Sequence, residues 1–355
     1  MPGTPSTRCR VLQIIPADGL GGVEAAARSM AVRTDLDCDF RLLPIAREVL
    51  LADTARVIVP RDRTFSARAY ARALRNILRE NPDVLICSLW RSVPLALVAK
   101  RLRPRVKLAL FVHSAFTTNV VDRRLHDLAM RQADAIWADS QATLDARVPK
   151  AIATPARVIS FVTQRLERAR PLERPPTASF VSWGRLHHYK GVDNGLRLIA
   201  ELVKRGVDAR FDVWGPDNNC LPELMLLRKT LRLDDRVTFK GATEQKVLPS
   251  IAREHSFYLQ LSRFEGMAMA VVEGMQLGLV PVVTPVGEMP RYCRSGHNAV
   301  VVDVANFDGA ATELIGLLRS PAEYRRVDEN AGLHWKDAPL YSDIVCQAAR
   351  DLLGG

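Results

Sequence analysis

Two pairs of charged side chains in the C-terminal half of the sequence have types and spacings that could do chemistry. Glu265 and Glu273 stand eight residues apart in Leu261-Ser-Arg-Phe-Glu-Gly-Met-Ala-Met-Ala-Val-Val-Glu273. At a helical rise of ~1.5 Å per residue their carboxylates can lie up to ~12 Å apart. That is too far for an acid/base pair on one bond, but it suits gripping the two ends of an elongated ligand. Arg185 and Lys190 are five residues apart in Trp183-Gly-Arg-Leu-His-His-Tyr-Lys-Gly191, each beside a glycine. Two fixed cations in a strand-to-helix loop suit a diphosphate, because they neutralise charge that develops on a leaving group. In the N-terminal half, Gly19-Leu-Gly-Gly-Val-Glu24 follows an apolar run and opens an alanine-rich segment. Glycine admits close approach and a helix start favours negative charge, so this is a phosphate-approach geometry. Glu24 stands where G-x-G-x-x-G needs its third glycine, which counts against a dinucleotide oxidoreductase. His113 ends another apolar run, at the strand end where open α/β sheets bind ligands.

These residues need elements to hold them, and the apolar runs predict which. Residues 10–16, 83–87, 106–112 and 133–140 read as buried parallel strands, and residues 177–182, 209–215, 236–241, 255–261 and 280–284 repeat the pattern. Residues 23–32, 267–277 and 341–353 read as helices. Residues 165–176 are charged, proline-rich and aperiodic, as an interdomain linker would be. The chain is therefore expected to be α/β, with one domain over residues 1–165 and a second over residues 166–336. Residues 65–80 predict an amphipathic helix in which Arg68, Arg72, Arg75 and Arg79 form one stripe. With the basic run at residues 100–107, this is either a landing surface for anionic lipid or a solvated face.

Composition narrows the function classes. At 355 residues, 48% hydrophobic and 25% charged, the chain has the makeup of a soluble globular protein with two cores. Its net charge of +11 is uneven: residues 1–165 carry 26 Lys and Arg against 15 Asp and Glu, whereas residues 166–355 carry 24 of each. The first half is thus expected to meet something anionic. Few aromatics interleave the basic residues, which argues against a nucleic-acid platform. The six cysteines are scattered without a C-x-x-C pair, so neither a metal site nor a disulfide framework is expected, and a reducing cytoplasm is the simplest home. No signal-peptide pattern or membrane-length apolar run is read.

The set of motifs resembles a known family. Glu265-Gly266, seven residues between the two acids, and Gly278-x-x-Pro281-Val-Val are similar to the E-x7-E signature of retaining GT-B glycosyltransferases, specifically glycosyltransferase family 4. Gly184-Arg185 with Lys190-Gly191 resembles that family's pyrophosphate-binding element, and Gly21-Gly22-Val23-Glu24 its loop over the donor. His113 and Ser140 match positions of its N-terminal domain. Gly215 falls in its glycine turn, and residues 236–241 resemble the strand whose end, at Lys240, meets the nucleotide base through main-chain atoms. The chain departs from the pattern at Arg291, where an acid is usual, and at Ala299, where a glycine is. It also lacks the Asn-Gly turn near residues 157–162, so no ligand contact is assigned there.

The resemblance implies two Rossmann-like domains facing a central cleft, with a helix at about residues 337–355 packing back on the first domain. It implies transfer of a sugar from a UDP- or GDP-sugar to a glycan or lipid-linked glycan, with retention and without a metal or other cofactor. Arg185 and Lys190 would stabilise the departing diphosphate, aided by N–H groups of Gly266, Met267 and Ala268. Glu265 would accept hydrogen bonds from the donor sugar and Glu273 from the ribose, and His113 would contact the sugar on domain closure. Peripheral contact with an anionic inner-membrane face, in envelope-polysaccharide synthesis, is the expected setting. A nucleotide-sugar epimerase on the same scaffold and a non-catalytic nucleotide-binding relative remain as alternatives.

Overall fold

The structure is a computed structural model that describes residues 8–19, 21–47 and 55–354. The chain divides into two compact units, Met1–Gln164 with Pro339–Gly355, and Arg165–Ala338. Leu20, within the N-terminal glycine stretch, lies outside the described residues.

In the first unit, apolar runs too continuous for a one-sided sheet form strands covered on both faces. These are β1 (Arg10–Ala17), β2 (Asp39–Ala46), β3 (Val84–Ser88), β4 (Lys107–Val112), β5 (Ala135–Ala138) and β6 (Ala156–Val158), all parallel and in the order β2-β1-β3-β4-β5-β6. The helix Ala67–Glu80 buries Ala69, Ala73 and Ile77 on the sheet, a stripe at intervals of four. Ser66 caps it by accepting a hydrogen bond from the Ala69 N–H, and Asn81 ends it in the left-handed region. The helix Tyr341–Leu353 belongs to this unit, where the Tyr341 N–H donates to the Val162 carbonyl at 2.7 Å.

A disulfide between Cys38 and Cys346 fastens that helix beside β2, which corrects the expectation of unpaired cysteines. The two partners are 308 residues apart, so only the closed fold brings them together.

The second unit repeats the architecture with β7 (Ser179–Trp183), β8 (Arg210–Trp214), β9 (Val237–Gly241), β10 (Phe257–Gln260), β11 (Val280–Val283) and β12 (Val300–Val301). Its order is β12-β11-β10-β7-β8-β9. The chain runs outward from β7 through β9, then returns to place β10 on the other side of β7. That reversal is a topological switch point, and in open α/β sheets the crevice beyond the carboxyl ends there binds ligands. The segment read as a linker is docked on this unit. Arg168 pairs with the buried Asp328 at 2.7 Å, and Arg170, fully buried, lies over the Tyr324 ring.

Candidate functional site

The loops that follow β7 and β10 flank the switch point of the second unit, and they carry Arg185, Lys190 and Glu265. Lys190 Nζ donates to Glu265 Oε1 at 2.8 Å. The same oxygen accepts from Gln260 Nε2 at 2.8 Å and from Ser262 Oγ at 2.7 Å. Glu265 is thus held in one orientation by donors from the end of β10 and from the neighbouring loop. Arg185 and Lys190 share the wall of a small cavity with Gly184, Gly191 and Gln260. Among the described residues Arg185 has no acidic partner, so its charge is available to an anion. The cationic character of the loop registers on His187, whose pKa is lowered first by burial and then by the charges of His188, Arg185 and Lys190.

Two contacts join the loops. Arg263 donates to both carboxylate oxygens of Asp193, at 2.9 and 2.6 Å, and to the His188 carbonyl at 2.7 Å. Burial would raise the Asp193 carboxyl, but the Arg263 hydrogen bonds and charge bring it below its ordinary value. Such a bidentate pair adds direction as well as energy, so Arg263 positions Lys190 against Glu265. From the far side, the Glu288 N–H donates to the Gly266 carbonyl at 2.9 Å and Tyr292 Oη to the Met267 carbonyl at 2.8 Å. The segment that departs from the family pattern at Arg291 therefore buttresses the loop carrying Glu265. Ala268, with φ 58°, turns that loop into the helix Met269–Gln276, so the first N–H groups of the helix follow Gly266 and Met267 directly.

Glu273 lies within this helix. Its Oε2 accepts from Trp183 Nε1 and its Oε1 from Gln245 Nε2, both at 2.8 Å. Burial raises its pKa, and these two hydrogen bonds oppose the rise. Each oxygen keeps a second acceptor position. Gly215 abuts the Gly184 carbonyl, and its N–H donates to the Gly241 carbonyl at 2.7 Å, which ties the ends of β7, β8 and β9. The Lys240 side chain turns to Asp212, 3.5 Å away, and does not join the Arg185–Glu265 group. Arg263, Tyr292, Gln260, Ser262 and Gln245 were not singled out in the sequence. Only Arg263 carried a signal, as a cation two residues before Glu265.

The first unit carries the candidate residues Gly21, Gly22 and His113. Gly21 is the N-cap of the helix Gly22–Ala31, which begins just beyond the end of β1. His113 follows β4, with its ring 4.1 Å from Phe111 and 5.5 Å from Phe161, centroid to centroid. The residue as a whole is partly buried, both ring nitrogens are closed to solvent, and among the described residues neither has a hydrogen-bond partner. Burial, with a smaller contribution from His126, pushes its pKa down to about 3. The imidazole is therefore neutral at working pH, with one N–H that can donate and one ring nitrogen that can accept a hydrogen bond, but it is not a general acid. Below an unfolded value of ~6.5 the unfolded chain binds more protons than the folded one. His113 thus contributes stability that is complete above about pH 6.5 and is lost as pH falls toward 3. Urea unfolding at about pH 7.5 and about pH 4.5 is expected to show a larger acid loss in the wild type than in His113→Gln. Equal losses, or an imidazole resonance titrating near 6.5, would contradict this assignment.

Among the described residues no three His, Cys, Asp or Glu side chains gather as metal ligands, and no helix is long and apolar enough to cross a membrane.

Comparison with known proteins adds to this geometry. Residues 163–334 match the family described as Glycosyl transferases group 1, and residues 30–160 match Glycosyltransferase Family 4. An alpha-D-kanosaminyltransferase of Streptomyces kanamyceticus is 30% identical over 173 residues, which is 48% of this chain and 43% of that protein. A GDP-mannose:cellobiosyl-diphosphopolyprenol alpha-mannosyltransferase of Xanthomonas oryzae pv. oryzae is 28% identical over 145 residues, 40% of this chain and 38% of its own. The chain spans less than half the length of both. An N-acetyl-alpha-D-glucosaminyl L-malate synthase of Bacillus anthracis is 24% identical over 274 residues, 71% of this chain and 70% of that one. Among solved structures, Anabaena HepE in complex with UDP and glucose superimposes with a TM-score of 0.81 at 17% identity, covering 98% of this chain and 100% of its own. Sucrose-phosphate synthase from Thermosynechococcus elongatus gives 0.77 at 14% identity, covering 98% and 100%. Both share the two-domain GT-B fold.

Proposed function

The chain belongs to the GT-B glycosyltransferases of the group 1 and family 4 type, and from that premise we propose that it moves a sugar from a nucleotide-diphosphate donor to a glycan or lipid-linked glycan. The observation that carries this reading is the convergence of Arg185, Lys190 and Glu265 on the switch point between β7 and β10. There Arg185 and Lys190 hold the donor's diphosphate and stabilise it as it leaves, with the N–H groups of Met267 and Ala268 adding to the positive potential. That electrostatic contribution does the work a divalent ion would do, so the reaction is proposed to be metal-independent. Glu265 orients the sugar by accepting from its hydroxyls, and Lys190 is shared between Glu265 and the diphosphate when donor binds. Glu273 accepts from the ribose through its remaining acceptor positions. His113, as a neutral imidazole, is assigned a hydrogen bond to the sugar, which requires a movement that uncovers one of its ring nitrogens. Retention is part of the proposal on the family resemblance alone; among the described residues no side chain at the switch point stands out as a nucleophile, so the proposed route is a front-face displacement.

The donor is a UDP- or GDP-sugar; the UDP complex of HepE and the GDP-mannose enzyme of Xanthomonas support that pair. The relative acting on a diphosphopolyprenol supports a lipid-linked acceptor, and a role in envelope-polysaccharide synthesis at a membrane face is part of the same proposal. Calorimetric titration tests the donor assignment. UDP or GDP is expected to bind wild type, and Lys190→Ala is expected to weaken that binding at least about 10-fold. Absence of nucleotide binding in wild type would remove the reading.

Membrane contact would use the helix Ala67–Glu80. Arg68, Arg75 and Arg79 are exposed there, while Arg72 is held by Asp62 at 2.8 Å. The basic run beyond it is partly committed too, because Lys100 pairs with Asp134 at 2.7 Å. At ~1 kcal/mol per basic residue near an anionic surface, changing Arg68, Arg75 and Arg79 to Gln should weaken vesicle binding about 100-fold. Cosedimentation with phosphatidylglycerol vesicles reads this directly. Unchanged binding would mean that this helix is not the landing surface.

A further inference from the structure

A second concentration of positive charge lies in the first unit and is not used by the groups described above. Beyond His113 the chain passes through residues 115–117 and enters the helix Val120–Gln132, whose Arg123, Asp127 and Arg131 recur at intervals of four. Arg147 ends the facing helix Gln141–Arg147, and Pro149 and Ile152 follow it. Together these residues enclose a cavity of about 410 Å³. Small-ligand sites occupy ~300–1,000 Å³.

The charge in this cavity is not balanced. Several arginines elsewhere are paired with acids: Arg10 with Asp83, Arg72 with Asp62, Arg168 with Asp328 and Arg263 with Asp193. Among the described residues the side chains of Arg123, Arg131 and Arg147 make no hydrogen bond or ion pair, and Asp127 is the lone acid on the wall. Arg147 is half-buried, and its Nε is closed to solvent without any acceptor. Burial lowers its pKa, Asp122 and Asp127 oppose that, and Arg123 adds to it. A desolvated guanidinium N–H without an acceptor costs free energy that a bound oxyanion would recover.

We propose that this cavity binds the phosphoryl group, mono- or diphosphate, of the acceptor. Three guanidinium forks offer more donors than a two-oxygen carboxylate can accept, whereas a phosphate or diphosphate presents three or more oxygens. Three cations against one carboxylate also match the charge of such a group. The Met130, Pro149 and Ile152 side of the wall offers apolar contact to the carbon chain beyond it. The inference rests on the transferase reading and names the chemistry of its acceptor.

The test is isothermal titration of the full chain with inorganic pyrophosphate and with farnesyl diphosphate, in the presence of saturating UDP or GDP so that the donor site is filled. The double variant Arg123→Gln/Arg147→Gln is expected to bind both probes about 10- to 100-fold more weakly than wild type. The exposed Arg124, which lies on the same helix outside the cavity, is expected to tolerate Gln with less than about twofold change. Unchanged affinity in the double variant, or an equal loss in Arg124→Gln, would overturn the proposal. If the double variant does not fold, Arg131→Gln, an exposed position, reads the same loss. Farnesyl diphosphate binding much tighter than pyrophosphate assigns a lipid-linked acceptor, and equal affinities assign a soluble phosphorylated one. If no nucleotide binds wild type, the donor reading fails separately, and the same comparison is then made without nucleotide.

Discussion

Lys190→Ala is expected to lower turnover of the nucleotide-sugar donor about 100- to 1,000-fold, the effect of removing one preorganised group that meets charge as it develops. Its ammonium stands 2.8 Å from Glu265, where it can serve the carboxylate and a diphosphate together. The fold should survive the change. Glu265 keeps its bonds from Gln260 and Ser262, so the expected stability loss is about 1–3 kcal/mol. Arg185→Ala is the cleaner companion, because among the described residues Arg185 has no acidic partner to strand. It is expected to lose activity by a similar factor with little change in stability. The double variant should lose less than the product of the two factors, since both cations act on one leaving group. Initial rates at saturating donor, read beside urea unfolding, separate these effects. A drop of less than about threefold in both single variants would take the cations out of the mechanism.

Gly191→Ala is expected to be strongly destabilising although it adds only a single methyl group near the site. Gly191 has φ 64°, and a Cβ built there would lie 1.8 Å from the Leu261 carbonyl oxygen. The obstacle is backbone, so no side chain can swing aside, and the loops carrying Lys190 and Glu265 would have to separate. Strain of ~1–2 kcal/mol for the left-handed conformation, added to that displacement, should exceed about 3 kcal/mol in total. Gly206→Ala supplies the control: φ is 82° there, but no atom lies within 4 Å of the added carbon. It should cost only the conformational part, about 1–2 kcal/mol. Urea unfolding followed by tryptophan fluorescence reports both. Equal losses would show that the close approach at Gly191 carries no weight.

The contrast between these two glycines shows what the sequence can and cannot disclose. Gly191 was legible as part of a motif, because a strand, a loop with Arg185 and Lys190, and a helix follow one another along the chain. Glu265 and Glu273 were legible for the same reason. What joins them was not: the Lys190–Glu265 pair spans 75 residues and the Arg263–Asp193 pair 70. Such pairs exist only once β10 has returned to lie beside β7, and nothing local announces that return. The same holds more strongly for Cys38 and Cys346. Residues 165–176 misled in the opposite direction, because charge and proline there signalled a solvated linker. Arg170 is instead buried over Tyr324, and Arg168 neutralises the buried Asp328. His113 was placed correctly at a strand end, but the closure of both its ring nitrogens to solvent depends on Phe111 and Phe161 packing around it.

The measurement that bears most directly on the transferase reading is turnover of a panel of UDP-, GDP- and ADP-sugars without acceptor. Nucleoside diphosphate release and sugar identity are followed together, for wild type beside Lys190→Ala and Glu265→Gln. Slow hydrolysis of one donor with its sugar unchanged, lost in both variants, is the predicted result. Conversion of the sugar into its epimer, hydrolysis undiminished in both variants, or no turnover together with no nucleotide binding would contradict it.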